Sequence, residues 1–324
     1  MLRLASLLTV LPIAAVETVG SLTLEEAEDL KANQTRLCDR QRVVKDVRMS
    51  RRALWRRADT VAAGYPLHLQ QYVRLLALSL TGSLDLAPKY PWINSKRFCG
   101  LDWPVERGFT MRGLVRLKNT AEVLLSVVSE KIPGDFVEVG LWRGGVSIFA
   151  KGILNELERK GSRSFHLFDV FNEQIPLEEP GARKFYAETR PRHIVDYFNM
   201  FGVGYQSLYT HKGLLNQSLP QFYQKHSKSG MSISVLCIDV KWYDANQDAL
   251  YYLYGFVPVG GYVVFSSYKA SQGERAWADF KADQGLSEDV LLSDSVGGYF
   301  KKTNELQIDQ IDFNRMRAPR DCNL

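Results

Sequence analysis

Cysteine is scarce in this 324-residue chain: Cys38, Cys99, Cys237 and Cys322 stand too far apart for a zinc site and are too few for a disulfide scaffold. Histidine is scarce as well, and none of His68, His166, His193, His211 and His226 has the spacing of a ligand pair or an evident base. No Gly-Lys-Ser or Gly-Lys-Thr occurs, which excludes a triphosphate-cradling P-loop, and the dinucleotide pattern Gly-x-Gly-x-x-Gly is missing too. No Ser/His/Asp or Cys/His arrangement suggests a hydrolase. Charge of one sign is not in large excess: a formal net charge of +5 points to neither nucleic acid nor membrane, and there is no broad basic surface with aromatic stacking residues. The tightest basic cluster, Arg48, Arg51, Arg52, Arg56 and Arg57, reads as a solvated helix face, with a polyanion contact left open. Repeats and low-complexity tracts are lacking.

Long apolar runs are lacking with one exception. Residues 4–16 follow Arg3 in the layout of a secretory signal, too short and too interrupted by Pro12 for a stable membrane span. A leader over residues 1–20 is therefore expected, placing the chain in the secretory lumen or outside the cell, with a cytoplasmic chain as the alternative. The sequons at Asn33 and Asn216 are compatible with that route. In an oxidising compartment one disulfide among Cys38, Cys99 and Cys322 is expected, Cys237 lying on a core strand.

What the chain does have is 45% hydrophobic residues, enough for one large core, and one stretch that organises it. In Gly134-Asp135-Phe136-Val137-Glu138-Val139-Gly140-Leu141-Trp142-Arg143-Gly144-Gly145, residues 136–139 read as a buried strand, 140–145 as a glycine-rich turn and 146–157 as the helix leaving it. Such a unit brings backbone close to a ligand and presents helix-start amides, while an acid ending the next strand can hold a ribose. Asp169 is that acid. The spacing Gly-x-x-x-Gly-Gly suits a nucleoside without a pyrophosphate better than a dinucleotide, and S-adenosylmethionine is the commonest such ligand; a turn needed only for helix–sheet packing is the plain alternative.

Before this stretch, residues 22–57 look helical and charged, 67–80 form an amphipathic helix, 87–104 are a Pro- and aromatic-rich connector, and 114–130 are helical. After it come strands at 165–168, 206–210, 232–239 and 261–265 alternating with helices at 192–201, 245–254 and 274–284, while 299–302 closes the sheet and 304–324 is a polar, peripheral tail. Repeated βα units of this length predict an α/β fold with a mostly parallel open sheet and helices on both faces.

These residues resemble the macrocin O-methyltransferase (TylF-type) family. The glycine stretch carries the resemblance, supported by Asp102-Trp103-Pro104, Thr110-Met111-x-Gly113, Lys212-Gly213 before Leu219-Pro220, and the run from Pro258 to Val264. The resemblance implies a Rossmann-like class I methyltransferase fold over residues 111–303, with a helical N-terminal extension over 21–110. It implies S-adenosylmethionine lying over Gly140, Gly144 and Gly145, its ribose on Asp169, with Glu138 and Ser147 bordering the methionine end. The acceptor it implies is a sugar or glycan hydroxyl; a homo-oligomer stays open.

Two departures bear on chemistry. Family members end the fourth strand with Asp-Gly-Asp and the fifth with Asp-Asp-Tyr, supplying acids to a divalent metal; here the segments are Asp239-Val240-Lys241 and Ser266-Ser267-Tyr268. One carboxylate, two hydroxyls and an ammonium make a poor magnesium site, so dependence on a divalent metal is not expected. Asp239 and Lys241 are the candidate catalytic residues, either as proton acceptor and Lys241 as a fixed cation paired with Asp239, unless Lys241 points to solvent. Loss of the carboxylates also leaves open a catalytically inactive member of the fold that keeps a ligand pocket or an interaction role.

Overall fold

The computed structural model describes residues 48–50, 61–62, 64–84, 92–94, 108–158, 162–171 and 189–316. The expected leader, the first sequon, Cys38, Cys99 and Cys322 lie outside them. Of the charged N-terminal stretch expected to be helical, only β1 (Arg48–Ser50) is described, and it is a strand, antiparallel to β2 (Trp92–Asn94).

The main sheet is built from runs that are apolar on both faces. β3 (Asp135–Val139), β4 (Phe165–Asp169), β5 (Leu208–Lys212), β6 (Ile233–Ile238) and β7 (Tyr262–Phe265) are mutually parallel; β9 (Gly298–Lys301) pairs antiparallel with β7, and the short β8 (Leu291–Leu292) with β9. Their order is β5-β4-β3-β6-β7-β9-β8. All six residues of β6 are buried, as a central parallel strand covered by helices on both sides requires.

On one face lie α1 (Leu67–Leu80), α2 (Leu114–Ser129), α3 (Gly145–Leu157) and α4 (Pro191–Met200). In α1, Leu69, Val73, Leu76, Ala77 and Leu80 recur on one stripe and are buried, so the N-terminal extension is packed onto the domain. The contact is close at α3, where a Cβ on Gly152 would stand 2.7 Å from Leu76. On the other face α5 (Leu215–His226), α6 (Tyr243–Leu253) and α7 (Gly273–Gln284) cover a second core around Phe222, Tyr251, Tyr254, Phe265, Trp277 and Phe280.

Two features depart from the sequence reading. α5 was not anticipated, and the expected tail is part of the second core through residue 316: Ile308 and Ile311 are buried, and the Asn304 amide donates to the Tyr254 hydroxyl at 2.7 Å. Among the described residues no helix is long and apolar enough to cross a membrane.

Candidate functional site

The order of the sheet reverses between β3 and β6, and in open α/β sheets the crevice at the carboxyl ends of such strands is where ligands bind. The register brings the expected residues to that edge. The Gly140 amide donates to the Phe168 carbonyl, Asp239 to Val139 and Ser266 to Ile238, at 2.8–3.0 Å, which places the ends of four strands side by side.

The turn from Gly140 to Gly144 is tight. Gly140 (φ +83°) and Gly144 (φ +75°) lie in the left-handed region, and so does Trp142 at φ 51°, a strained position for a bulky residue. Asp169 holds it there: its Oδ2 accepts from the amides of Leu141 at 2.7 Å and Trp142 at 3.0 Å, and its Oδ1 from Phe171 at 3.1 Å. The Arg143 guanidinium lies 4.5 Å over the Trp142 ring. Asp169 thus faces the glycine turn, but its carboxylate is an internal pin of that turn before any ribose reaches it. Burial raises its pKa against the opposing pull of the amides of Trp142, Phe171, Leu141 and Val170.

Gly140 and Gly145 are required by protein packing. A Cβ on Gly140 would stand 2.2 Å from the Asp239 carbonyl oxygen, and one on Gly145 would stand 2.3 Å from that of Phe109. The strap of residues 108–113 crosses here, its Phe109 carbonyl accepting from the Gly145 amide at 2.9 Å.

Below the turn lies a charged cluster inside the protein. Glu138, 1% exposed, accepts a short hydrogen bond from Ser147 at the start of α3. Burial pushes the Glu138 carboxyl up to about 7, with Arg112 and the Ser147 hydroxyl opposing. Cys237 is its neighbour across the β3–β6 pair, a free buried thiol pushed up to about 12 by burial. Asp239, at the edge, accepts from the Ser267 hydroxyl at 3.3 Å, and Arg112 Nε stands 4.0 Å from its Oδ2.

Of the expected residues, Glu138, Gly140, Gly144, Gly145, Ser147, Asp169 and Asp239 are therefore gathered at one edge. Lys241 is exposed and the structure does not bring its side chain against Asp239; the cation facing Asp239 is Arg112. His211 stacks on Phe168 at 4.2 Å and bonds to His166 at 3.1 Å in the layer under α5, where burial lowers its pKa to about 4. His166 is a buried core residue with Asp135 on its other nitrogen at 3.3 Å.

Sequence reasoning missed Arg112 and Arg116. Arg116 donates to the Ser266 carbonyl at 2.7 Å and pairs with the buried Asp294 at 3.2 Å, fixing the end of β7. Their signal was two arginines four apart entering an apolar helix. Two cavities among the described residues lie away from this edge: one of about 280 Å³ beside Gly134 and Arg163 at the amino ends of the strands, one of about 530 Å³ between Leu286 and Leu306.

Charge decides what the crevice can hold. Asp239 and Glu138 act on the one guanidinium of Arg112, and Asp169 lies beside Glu138 on the turn amides, an excess of acid that fits a ligand bearing an ammonium and a sulfonium. A divalent cation does not fit: beside Asp239 stand two serines and an arginine, and among the described residues no three acids, histidines or cysteines are placed to hold a metal ion together.

The macrocin-O-methyltransferase (TylF) family model matches residues 83–302. A demethyldecarbamoylnovobiocin O-methyltransferase of Streptomyces niveus is 28% identical over 213 residues, 63% of this chain and 79% of that protein. An 8-demethyl-8-(2,3-dimethoxy-alpha-L-rhamnosyl)-tetracenomycin-C 4'-O-methyltransferase of Streptomyces olivaceus is 28% identical over 215 residues, 64% of this chain and 80% of that one. Among solved structures, the O-methyltransferase NovP aligns with a TM-score of 0.61 at 25% identity, covering 72% of this chain and 99% of its own. The family match runs from Ser83 through α2, the glycine turn and both carboxylate-bearing strands to Lys302, and the chain belongs to the macrocin-O-methyltransferase family.

Proposed function

We propose that this chain is an S-adenosylmethionine-dependent O-methyltransferase acting on a sugar hydroxyl. The observation that carries the reading is the convergence of the glycine turn, Asp169 and Asp239 on the carboxyl edge at the point where strand order reverses. Relatives named for O-methylation, one of them on a rhamnosyl group, support the acceptor class.

The cofactor supplies a methyl group activated by a sulfonium. Glu138 and Ser147 would border its methionine end, and the turn from Gly140 to Gly145 would hold its nucleoside. Ribose hydroxyls reach Asp169 only by sharing it with the turn amides, since a carboxylate offers about four acceptor positions. Asp239, partly exposed at the edge and oriented by the Ser267 hydroxyl, is the residue that would take the acceptor hydroxyl's proton during methyl transfer. Its side chain is 29% exposed, open enough to meet an incoming hydroxyl.

The engagement of Asp169 by the turn favours one second reading, a member of the fold that holds a ligand without transferring a methyl group. Thermal melting with saturating S-adenosylmethionine tests the first step: a ligand at about 100 times its Kd stabilises by about 2.7 kcal/mol, several degrees here, and no shift would sink the cofactor assignment. Transfer of labelled methyl to a panel of deoxysugar glycosides separates the readings. Binding without transfer to any glycoside would establish the second.

A further inference from the structure

We propose that Arg112 is the built-in cation of this site, occupying with its guanidinium the electrostatic place of a divalent ion and keeping such ions away from Asp239. The inference rests on the methyltransferase reading for its use, though not for its test.

Arg112 is carried to the site by the strap that also closes over the glycine turn, and its own amide is fixed by the Thr110 hydroxyl at 3.0 Å. The residue is 2% exposed. Its Nη1 donates to the Thr120 hydroxyl at 3.2 Å, and the rest of the guanidinium is buried beside the Cys237 thiol. A guanidinium cannot shed its charge, so burying one against a neutral thiol and a hydroxyl is costly unless nearby anions hold it. Those anions are present: Asp239 Oδ2 lies 4.0 Å from Nε, and Glu138 acts on the same group. The separation from Asp239 is an ion pair and not a hydrogen bond, which leaves Oδ2 available to receive a proton from an acceptor while Oδ1 accepts from Ser267.

The metal alternative fails on the donor set. A magnesium or manganese ion bound about 2.1 Å from an Asp239 oxygen would stand within roughly 6 Å of the guanidinium, a fixed like charge in a partly dry site. Ser267 offers one neutral hydroxyl, already donated to Asp239, and the Ser266 hydroxyl is buried. Arg112 is thus a positioning residue: it neutralises the acids from below and holds the electrostatics that a hydrated ion would otherwise set.

Manganese binding followed by electron paramagnetic resonance tests this without an acceptor. The wild-type protein, with and without S-adenosylhomocysteine, is expected to leave Mn2+ at about 1 mM free in solution, because one carboxylate facing a guanidinium is no site for a hard cation. Ser267→Asp supplies a second carboxylate beside Asp239 and is expected to bind Mn2+ at least about tenfold more weakly than Ser267→Asp/Arg112→Met, in which the repelling charge is gone. Mn2+ bound by the wild type and lost in Asp239→Asn would overturn the proposal, as would equal Mn2+ affinity in the two Ser267→Asp variants. If the double variant does not fold, Arg112→Lys takes its place beside the wild type: it keeps the charge and must also exclude Mn2+, and binding would refute us. A thermal shift with S-adenosylhomocysteine on the same samples reports the cofactor reading separately, so loss of that shift counts against the methyltransferase and leaves the manganese result standing on its own.

Discussion

Replacing Glu138 by glutamine should abolish a defined part of the protein's pH-dependent stability. In the folded protein burial raises this carboxyl from an ordinary 4.5 to about 7, and a gap of that size corresponds to about 3 kcal/mol. Between those two values the unfolded chain has lost the proton and the folded chain still holds it, so the folded state binds more protons and stability falls as pH rises. The contribution is fully present below about 4.5 and is lost as pH passes through about 7. Glutamine keeps a carbonyl oxygen for the Ser147 hydroxyl but cannot ionise. Below about 7 the wild-type carboxyl is itself neutral, so glutamine removes no counter-charge to Arg112 there, and the offset from its altered hydrogen bonding is the same at every pH. What changes with pH is the difference between variant and wild type: at about 2 °C per kcal/mol for a chain of this size, it should shift by about 6 °C in the variant's favour between pH 4 and pH 8. Asp248, also pushed up to about 7 by burial and by Asp244, titrates alike in both proteins and cancels. Melting curves at half-unit pH steps are the assay. A difference that stays flat from pH 4 to pH 8 would show that Glu138 ionises normally, and the buried cluster described here would be wrong.

Gly145→Ala places a Cβ 2.3 Å from the Phe109 carbonyl oxygen and should cost about 3 kcal/mol in thermal denaturation, because the obstacle is backbone and cannot rotate away; Gly140→Ala, at φ +83° and 2.2 Å from the Asp239 carbonyl, should cost no less. Asp169→Asn weakens two charge-assisted bonds to the turn, so hydrogen exchange at the Leu141 and Trp142 amides should accelerate by at least about tenfold, whereas unchanged rates would mean the turn holds itself. Lys302 is buried with its ammonium on the carbonyls of Val257 at 2.8 Å and Leu306 at 2.6 Å, so Lys302→Met should lower urea stability by about 3 kcal/mol. Burial lowers the Lys302 pKa from 10.5 to about 8, so the wild type should gain stability as pH rises through that window and the variant should not gain that part.

The central parallel strands were legible in the sequence because each is short and apolar, and β3, β4 and β6 are closed by glycine or an acid, a pattern that local residues alone determine. The glycine turn was legible for the same reason. α5 was not: Pro220 sits in its second turn and its surface is polar, while Phe222 is held by Phe168, from a strand about fifty residues earlier, as well as by the neighbouring His211. Residues 304–316 misled in the same way. Their composition is that of a tail, yet Ile308 fits against Gly255, where a Cβ would meet its Cα at 2.3 Å. At the site, the edge residues followed from strand ends, but the partners did not. Lys241 was singled out because it stands where the resembled family has its second acid after Asp239, and only the strap's path across the glycine turn brings Arg112, 127 positions before Asp239, into the cluster.

Titration of Glu138 near neutrality also ties the cluster to what the crevice binds. With Glu138 protonated, Asp239 alone faces the Arg112 guanidinium; with it ionised, a second negative charge acts on the same group. A ligand carrying an ammonium and a sulfonium stabilises the ionised form, so its binding draws the Glu138 pKa downward and releases a proton near pH 7. A neutral nucleoside of the same shape would not. Arg112 sets the scale of this coupling, because the fixed charge that keeps Glu138 from rising further also limits how much a second cation can gain by arriving. The buried acid and the buried guanidinium thus act as one unit: on the proposed reading they would make the floor of the crevice responsive to a charged cofactor, with Asp239 at the rim left for the acceptor.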